Sequence, residues 1–304
     1  MSKALRKTLL GLAAIILVSA VTMFLLLPRE PAYAGKRLSA WVENFSPGNS
    51  HEAWLQGTEA LQQMGTNVLP FLVRKLEATD SPFRLRFLSW IQCQRLVKVN
   101  FRPARFRRAC ARSALESLGA AAKPAVPLLV QLAAARDKDV RVRHNALMVL
   151  VRLGREAKEA LPGLIEILRA KVDDMEIKTK VCWALAAIGP EAQAAVPALI
   201  AVLPETGQGQ IETEARISGQ LESEVTTAKI SLFDPAARAL GRIGPGAKDA
   251  IPALLRALDH EDRDIREAAQ AALKRIDPTV APTAETTNAP GGSRRFLRPP
   301  SLGK

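Results

Sequence analysis

Apolar residues recur along most of this chain at helical spacing. In "ALMVLVRLG", residues 146–154, they fall at i, i+3, i+4 and i+7, one face of an α-helix. A glycine ends that run, and the pattern returns: "ALQQMG" (60–65), "ALESLG" (114–119), "VLVRLG" (149–154), "ALAAIG" (184–189) and "ALGRIG" (239–244), with "ALKRID" (272–277) closing the series. In four copies a proline follows the glycine after eight residues, at Pro127, Pro162, Pro197 and Pro252; in the first copy Pro70 comes sooner. Glycine is expected to stop the first helix in αL geometry. Proline suits the first turn of the next helix, where its missing N–H is no loss. "PALIAVL" (197–203) and "PALLRAL" (252–258) give that second helix its own apolar face. Each unit therefore reads as a helical hairpin with too little core to stand alone, so hairpins must stack.

A second element opens the units: Asp80…Phe83-Arg84, Asp137…Val140-Arg141, Asp174…Ile177-Lys178 and Asp262…Ile265-Arg266. The aspartate is an expected N-cap, and the base is expected to form a structural ladder between neighbouring units. Glycine-to-glycine intervals are 54, 35, 35 and 55, so 35 residues set the period and the other two intervals carry insertions. One insertion lies between helices expected at 82–98 and 103–118. The other is the acidic run 204–233, expected to end at Asp234-Pro235 as an N-cap followed by an N1 proline.

These motifs resemble HEAT repeats, in particular the short bacterial type also seen in phycobilin-lyase-like proteins, over about residues 51–277. Residues 35–44, "GKRLSAWVEN", resemble a lead-in segment that precedes such arrays in exported bacterial HEAT proteins. The resemblance implies an all-α fold, an α-solenoid of stacked HEAT-type helical hairpins, and a scaffold or assembly role in protein–protein interaction. Some HEAT-like proteins are lyases or DNA glycosylases, but no residue constellation here supports carrying either activity over.

The N-terminus adds a different signal. After Lys3, Arg6 and Lys7, residues 8–27 contain no charge. As a helix they would span ~30 Å, about the bilayer core. A transmembrane signal anchor over 8–28 is expected, with the basic leader 1–7 in the cytoplasm and the body outside. The alternative is a signal peptide cleaved after Ala34, at the A-x-A site Ala32-Tyr33-Ala34, giving a secreted or periplasmic body. The expected location is the bacterial inner membrane, single-pass, with a linker and lead-in over 29–50. Residues 278–304, rich in Pro, Thr, Ala and Gly, are expected to be disordered.

Composition narrows the chemistry. The chain is 48% hydrophobic but only 5% aromatic, which favours packed helices over β-sandwiches. Its three cysteines, Cys93, Cys110 and Cys182, lack CxxC spacing, and whether Cys93 and Cys110 pair stays open. The three histidines have no neighbouring Cys or His at ligand spacing, and no phosphate loop, dinucleotide fingerprint or G-x-S-x-G occurs. No enzyme activity, metal or cofactor is expected.

The net charge of +13 is concentrated: residues 81–115 hold nine basic side chains and no acid. Within "KVNFRPARFRRACAR" (98–112), Arg102, Arg105, Arg107, Arg108 and Arg112 form the candidate interaction surface. Arg105, Arg108 and Arg112 share a helical face, and Glu116 follows to pair with Arg112. Phe106, Cys110 and Ala114 line another face that suits the core. The competing readings are a solvated face, a surface for anionic lipid headgroups or another envelope polyanion, and a site for an acidic protein or for the 204–233 run of a second copy. Nucleic acid is disfavoured because an exported body would rarely meet it. The expected role is a membrane-tethered scaffold whose protein partner the sequence does not name. Reversing Arg105, Arg108 and Arg112 to Glu is expected to abolish capture of that partner without unfolding the array.

Overall fold

The computed structural model describes residues 30–80, 102–171, 174–204, 206–217 and 220–280. The expected membrane segment (8–28), the helix expected over 82–98, Cys93 and the chain beyond Val280 lie outside the described residues. Two compact units divide the chain, one ending at Ala125 and one starting at Val126.

The first unit opens with strands β1 (Ala32–Tyr33) and β2 (Lys36–Arg37), paired antiparallel, and then α1 (Leu38–Val42). Glu30 reaches forward to cap α1, accepting from the Ser39 N–H at 2.6 Å and the Ser39 hydroxyl at 3.0 Å. Leu38, Trp41, Val42 and Phe45 are buried against α2 (His51–Met64) and α4 (Ala104–Leu118), so the expected linker is here part of the core. Gly57 lets the Phe45 ring approach: a Cβ there would stand 3.0 Å from a ring carbon. Helix α3 (Leu69–Leu76) completes the first hairpin.

The second unit is a two-layer stack. One layer holds α6 (Val140–Leu153), α8 (Met175–Ile188), α10 (Phe233–Ile243) and α12 (Arg263–Ile276), each packed on the next. The other holds α5 (Val126–Ala134), α7 (Leu161–Arg169), α9 (Val196–Val202) and α11 (Ile251–Ala257). Leu147, Leu150, Leu164, Leu168, Ile177 and Leu185 are fully buried between the layers. Each such side chain contributes about 1.5–3 kcal/mol relative to exposure. Alanines such as Ala146, Ala184 and Ala239, all fully buried, hold the helices close. His144 of α6 meets the Glu176 carboxylate of α8 at 2.7 Å.

The glycines stop the first helix of each hairpin, but not in αL geometry. Gly154 has φ 56° and ψ −124°, and Gly189 has φ 79° and ψ −136°. That combination belongs to a region open essentially only to glycine, which is stricter than αL. A 3₁₀ turn then fills the space to the second helix, as in Gly154–Ala160 and Gly189–Ala195. The prolines arrive as expected in the first turn, at the second helical residue.

Two further sequence expectations need correction. The N-cap of α6 is Asp139, not Asp137, its carboxylate accepting from the Arg141 N–H at 2.9 Å; Asp174 and Asp262 cap α8 and α12 as expected. Asp234 lies inside α10, because that helix starts a residue earlier, where the Ser231 hydroxyl accepts from the Phe233 N–H at 3.2 Å. The acidic run, whose structure the sequence left open, is a β-hairpin added to a mostly helical stack. Strand β3 (Thr206–Ile217) pairs antiparallel with β4 (Gln220–Ser231), with Ile217 opposite Gln220, and β3 packs beside α8.

Candidate interaction site

The five arginines expected to form a surface have different fates, set by how α4 begins. That helix has no local side-chain cap. Asp80 supplies one from a distance, accepting from the Ala104 N–H at 2.6 Å, and it pairs with Arg107 at 2.9 Å. Arg102 meets Glu43 at 3.4 Å, and its guanidinium lies 4.6 Å from the centre of the half-buried Phe106 ring. Arg112 pairs with Glu116 at 3.6 Å, as the spacing implied. Arg108 is only 6% exposed and donates to the Ala78 carbonyl at 2.8 Å. Arg105 is exposed. The expected common face of Arg105, Arg108 and Arg112 is therefore broken at its centre. A glutamate at 108 would bury an acid against a carbonyl, so the triple reversal would damage the fold rather than test a surface. Cys110 is buried beside these residues, and burial pushes its thiol up to about 11, with Arg102 opposing that rise.

Arg108 belongs to a ladder. Arg108, Arg143, Lys178 and Arg266 each stand eleven residues before the residue that ends their helix: Gly119, Gly154, Gly189 and Asp277. Arg143 is 5% exposed and donates to the Ala133 carbonyl at 2.7 Å. Arg266 donates to the His260 and Glu261 carbonyls at 2.6 and 2.7 Å. Lys178 is buried at the same position. Arg143 and Arg266 hold the chain end that leads into their own helix. The aspartate register, from which a ladder between adjacent repeats was expected, falls on Lys178 and Arg266 at this position but on exposed Arg141 in place of Arg143. Counting back from the glycine would have found Arg143.

The second unit presents a groove that sequence reading missed. It has a volume of about 700 Å³ and is formed by α8, α10 and α12. Its floor is made of small residues: Ala186, Gly241, Ala268, Ala271 and Ala272. Gly241 allows close helix approach there, since a Cβ would lie 3.2 Å from the Ala272 Cα. Trp183, 38% exposed, lines one side. The Lys180 ammonium sits 4.0 Å from the centre of its ring; burial lowers that amine's pKa, and Glu176 opposes the change. Arg238, Arg242 and Arg275 line the groove, and Arg238 is balanced by Asp234 at 3.2 Å. An adjoining cleft of about 340 Å³ adds Arg155 to Arg242 and Arg275. Arg242 and Arg275 each precede the helix-ending residue by two, but so does Arg152, which lines neither cavity, so this register alone does not mark the groove. Among the described residues, no cluster of three His, Cys, Asp or Glu could hold a metal ion.

Residues 126–218 match the family model described as HEAT repeats, and residues 236–260 match the PBS lyase HEAT-like repeat. No curated protein matches the chain. Among solved structures, a crystal structure of an engineered protein from the Northeast Structural Genomics Consortium is similar at 20% identity, covering 79% of this chain and 96% of that one, with a TM-score of 0.43. The family matches support a HEAT-repeat protein, and repeats of this kind generally mediate protein–protein interaction.

Proposed function

We propose that this chain is a membrane-tethered scaffold of the bacterial cell envelope, held by residues 8–27, whose HEAT array binds a protein partner outside the cytoplasm. The observation that carries the interaction role is the groove across α8, α10 and α12. It combines an apolar floor, an exposed tryptophan and the arginines Arg155, Arg242 and Arg275. Interaction hot spots are built from such aromatic and arginine anchors. A stack of hairpins supplies the surface as a rigid shape, so docking costs little ordering of the array. The tether rests on the uncharged run 8–27 and the basic leader before it.

The rival reading, electrostatic attachment to anionic lipid through residues 81–115, is weakened by the contacts of Arg102, Arg107 and Arg108 within their own unit. Cross-linking in intact membranes followed by pull-down tests the scaffold reading. A discrete protein partner is expected, with the full chain resisting carbonate extraction. Release by carbonate would overturn the tether, and recovery of the chain cross-linked only to lipid would overturn the scaffold.

A further inference from the structure

We propose that the groove on α8, α10 and α12 binds a short acidic segment of the partner protein, one that sets an aliphatic side chain beside Trp183 and carboxylates on Arg155, Arg242 and Arg275. This inference rests on the scaffold reading and names the chemistry of its partner.

Three features define the occupant. The floor is built from methyl groups and one glycine, so nothing projects from it, and a polypeptide backbone can lie close to the helices. Trp183 offers an apolar face at one side, which suits a single aliphatic side chain. The charge is one-sided among the side chains the structure describes: Asp234 is occupied by Arg238, while none of the other described carboxylates pairs with Arg155, Arg242 or Arg275. Guanidinium groups match carboxylates in two-point geometry, which makes an arginine cluster a reader of acidic motifs.

Other occupants fit less well. An inorganic polyanion has nothing to place against Trp183. A phospholipid has apolar tails, but a floor at the level of Cβ atoms gives them no depth. The chain's own leader and tail are both net basic, so the arginines repel them. Arg242 and Arg275 also lie in the last turns of α10 and α12, where a cation is favourable to the helix dipole whether or not anything binds. The test must separate these roles.

The test uses the full-length protein in detergent and a short fluorescein-labelled peptide of alternating Glu-Glu and Leu, read by anisotropy. Binding is expected, weakened at least about tenfold by Arg242→Gln with Arg275→Gln, and similarly by Trp183→Ala. Replacing Leu by Ser in the peptide should weaken it too. The glutamine pair keeps the helix ends free of acid, and an unchanged thermal transition would separate lost binding from lost structure. Absence of peptide binding, equal binding by the variants, or equal competition by phosphatidylglycerol vesicles would each overturn the inference. If the partner cross-linked in membranes is still captured by the glutamine pair, the groove assignment falls while the scaffold reading stands.

Discussion

Replacing Arg143 by Ala tests whether the buried ladder, rather than the aspartate register, governs how the hairpins join. Arg143 is 5% exposed, and its Nε donates to the Ala133 carbonyl at 2.7 Å, near the end of α5. A hydrogen bond from a charged donor nets about 1.5–3 kcal/mol, and removing it leaves a buried carbonyl unpaired. The packed methylene stem adds roughly 1 kcal/mol. The expected loss is therefore about 3 kcal/mol, equivalent to about a hundredfold in an opening equilibrium. Arg141, two positions earlier and exposed, should cost no more than about 0.5 kcal/mol when truncated. Native-state hydrogen exchange reads the difference locally, which matters because long repeat arrays do not always unfold as one unit. Amides of α5 and α6 should exchange about a hundredfold faster in Arg143→Ala and almost unchanged in Arg141→Ala. Equal effects from the two variants would refute the reasoning.

Two further outcomes follow from the same structure. Gly189→Ala should destabilise the second unit by about 1–3 kcal/mol, because φ 79° with ψ −136° is closed to alanine; a thermal transition no lower than wild type would contradict it. Cys110, 2% exposed with its thiol raised to about 11 by burial, should resist iodoacetamide in the folded protein and react on unfolding, as read by mass spectrometry of the Cys110 peptide. Its folded pKa lies above the unfolded value of 9.0, so its contribution to stability is complete below about pH 9 and fades as pH rises towards 11.

How much of this could be read from the sequence depended on whether the determining contact was local. Helix faces, the stopping glycines and the proline starts rest on short spacings, and they stand where the pattern put them. The ladder was foreseen in kind but shifted by two residues in one unit, because two aspartates compete to cap α6. The structure of the 204–233 run was left open, although Ile211, Thr213, Ile217, Val225, Thr226 and Ile230 carry strand propensity around a glycine-containing turn sequence. The contacts of Arg102, Arg107 and Arg108 were not legible for a tertiary reason: Asp80, Glu43 and the Ala78 carbonyl are distant in sequence from the arginines they engage. The groove was invisible because its floor is written in alanines, which look like ordinary core until three helices are laid side by side.

The most direct test of the central claim, that the groove is where a partner docks, is site-specific photo-crosslinking in native membranes. A photoreactive phenylalanine analogue would replace Trp183 in one full-length variant and Arg105 in another. The expected result is an adduct to a discrete acidic protein from position 183, lost when Arg242 and Arg275 become glutamine. Adducts from position 105 alone, or from neither position, would contradict the account.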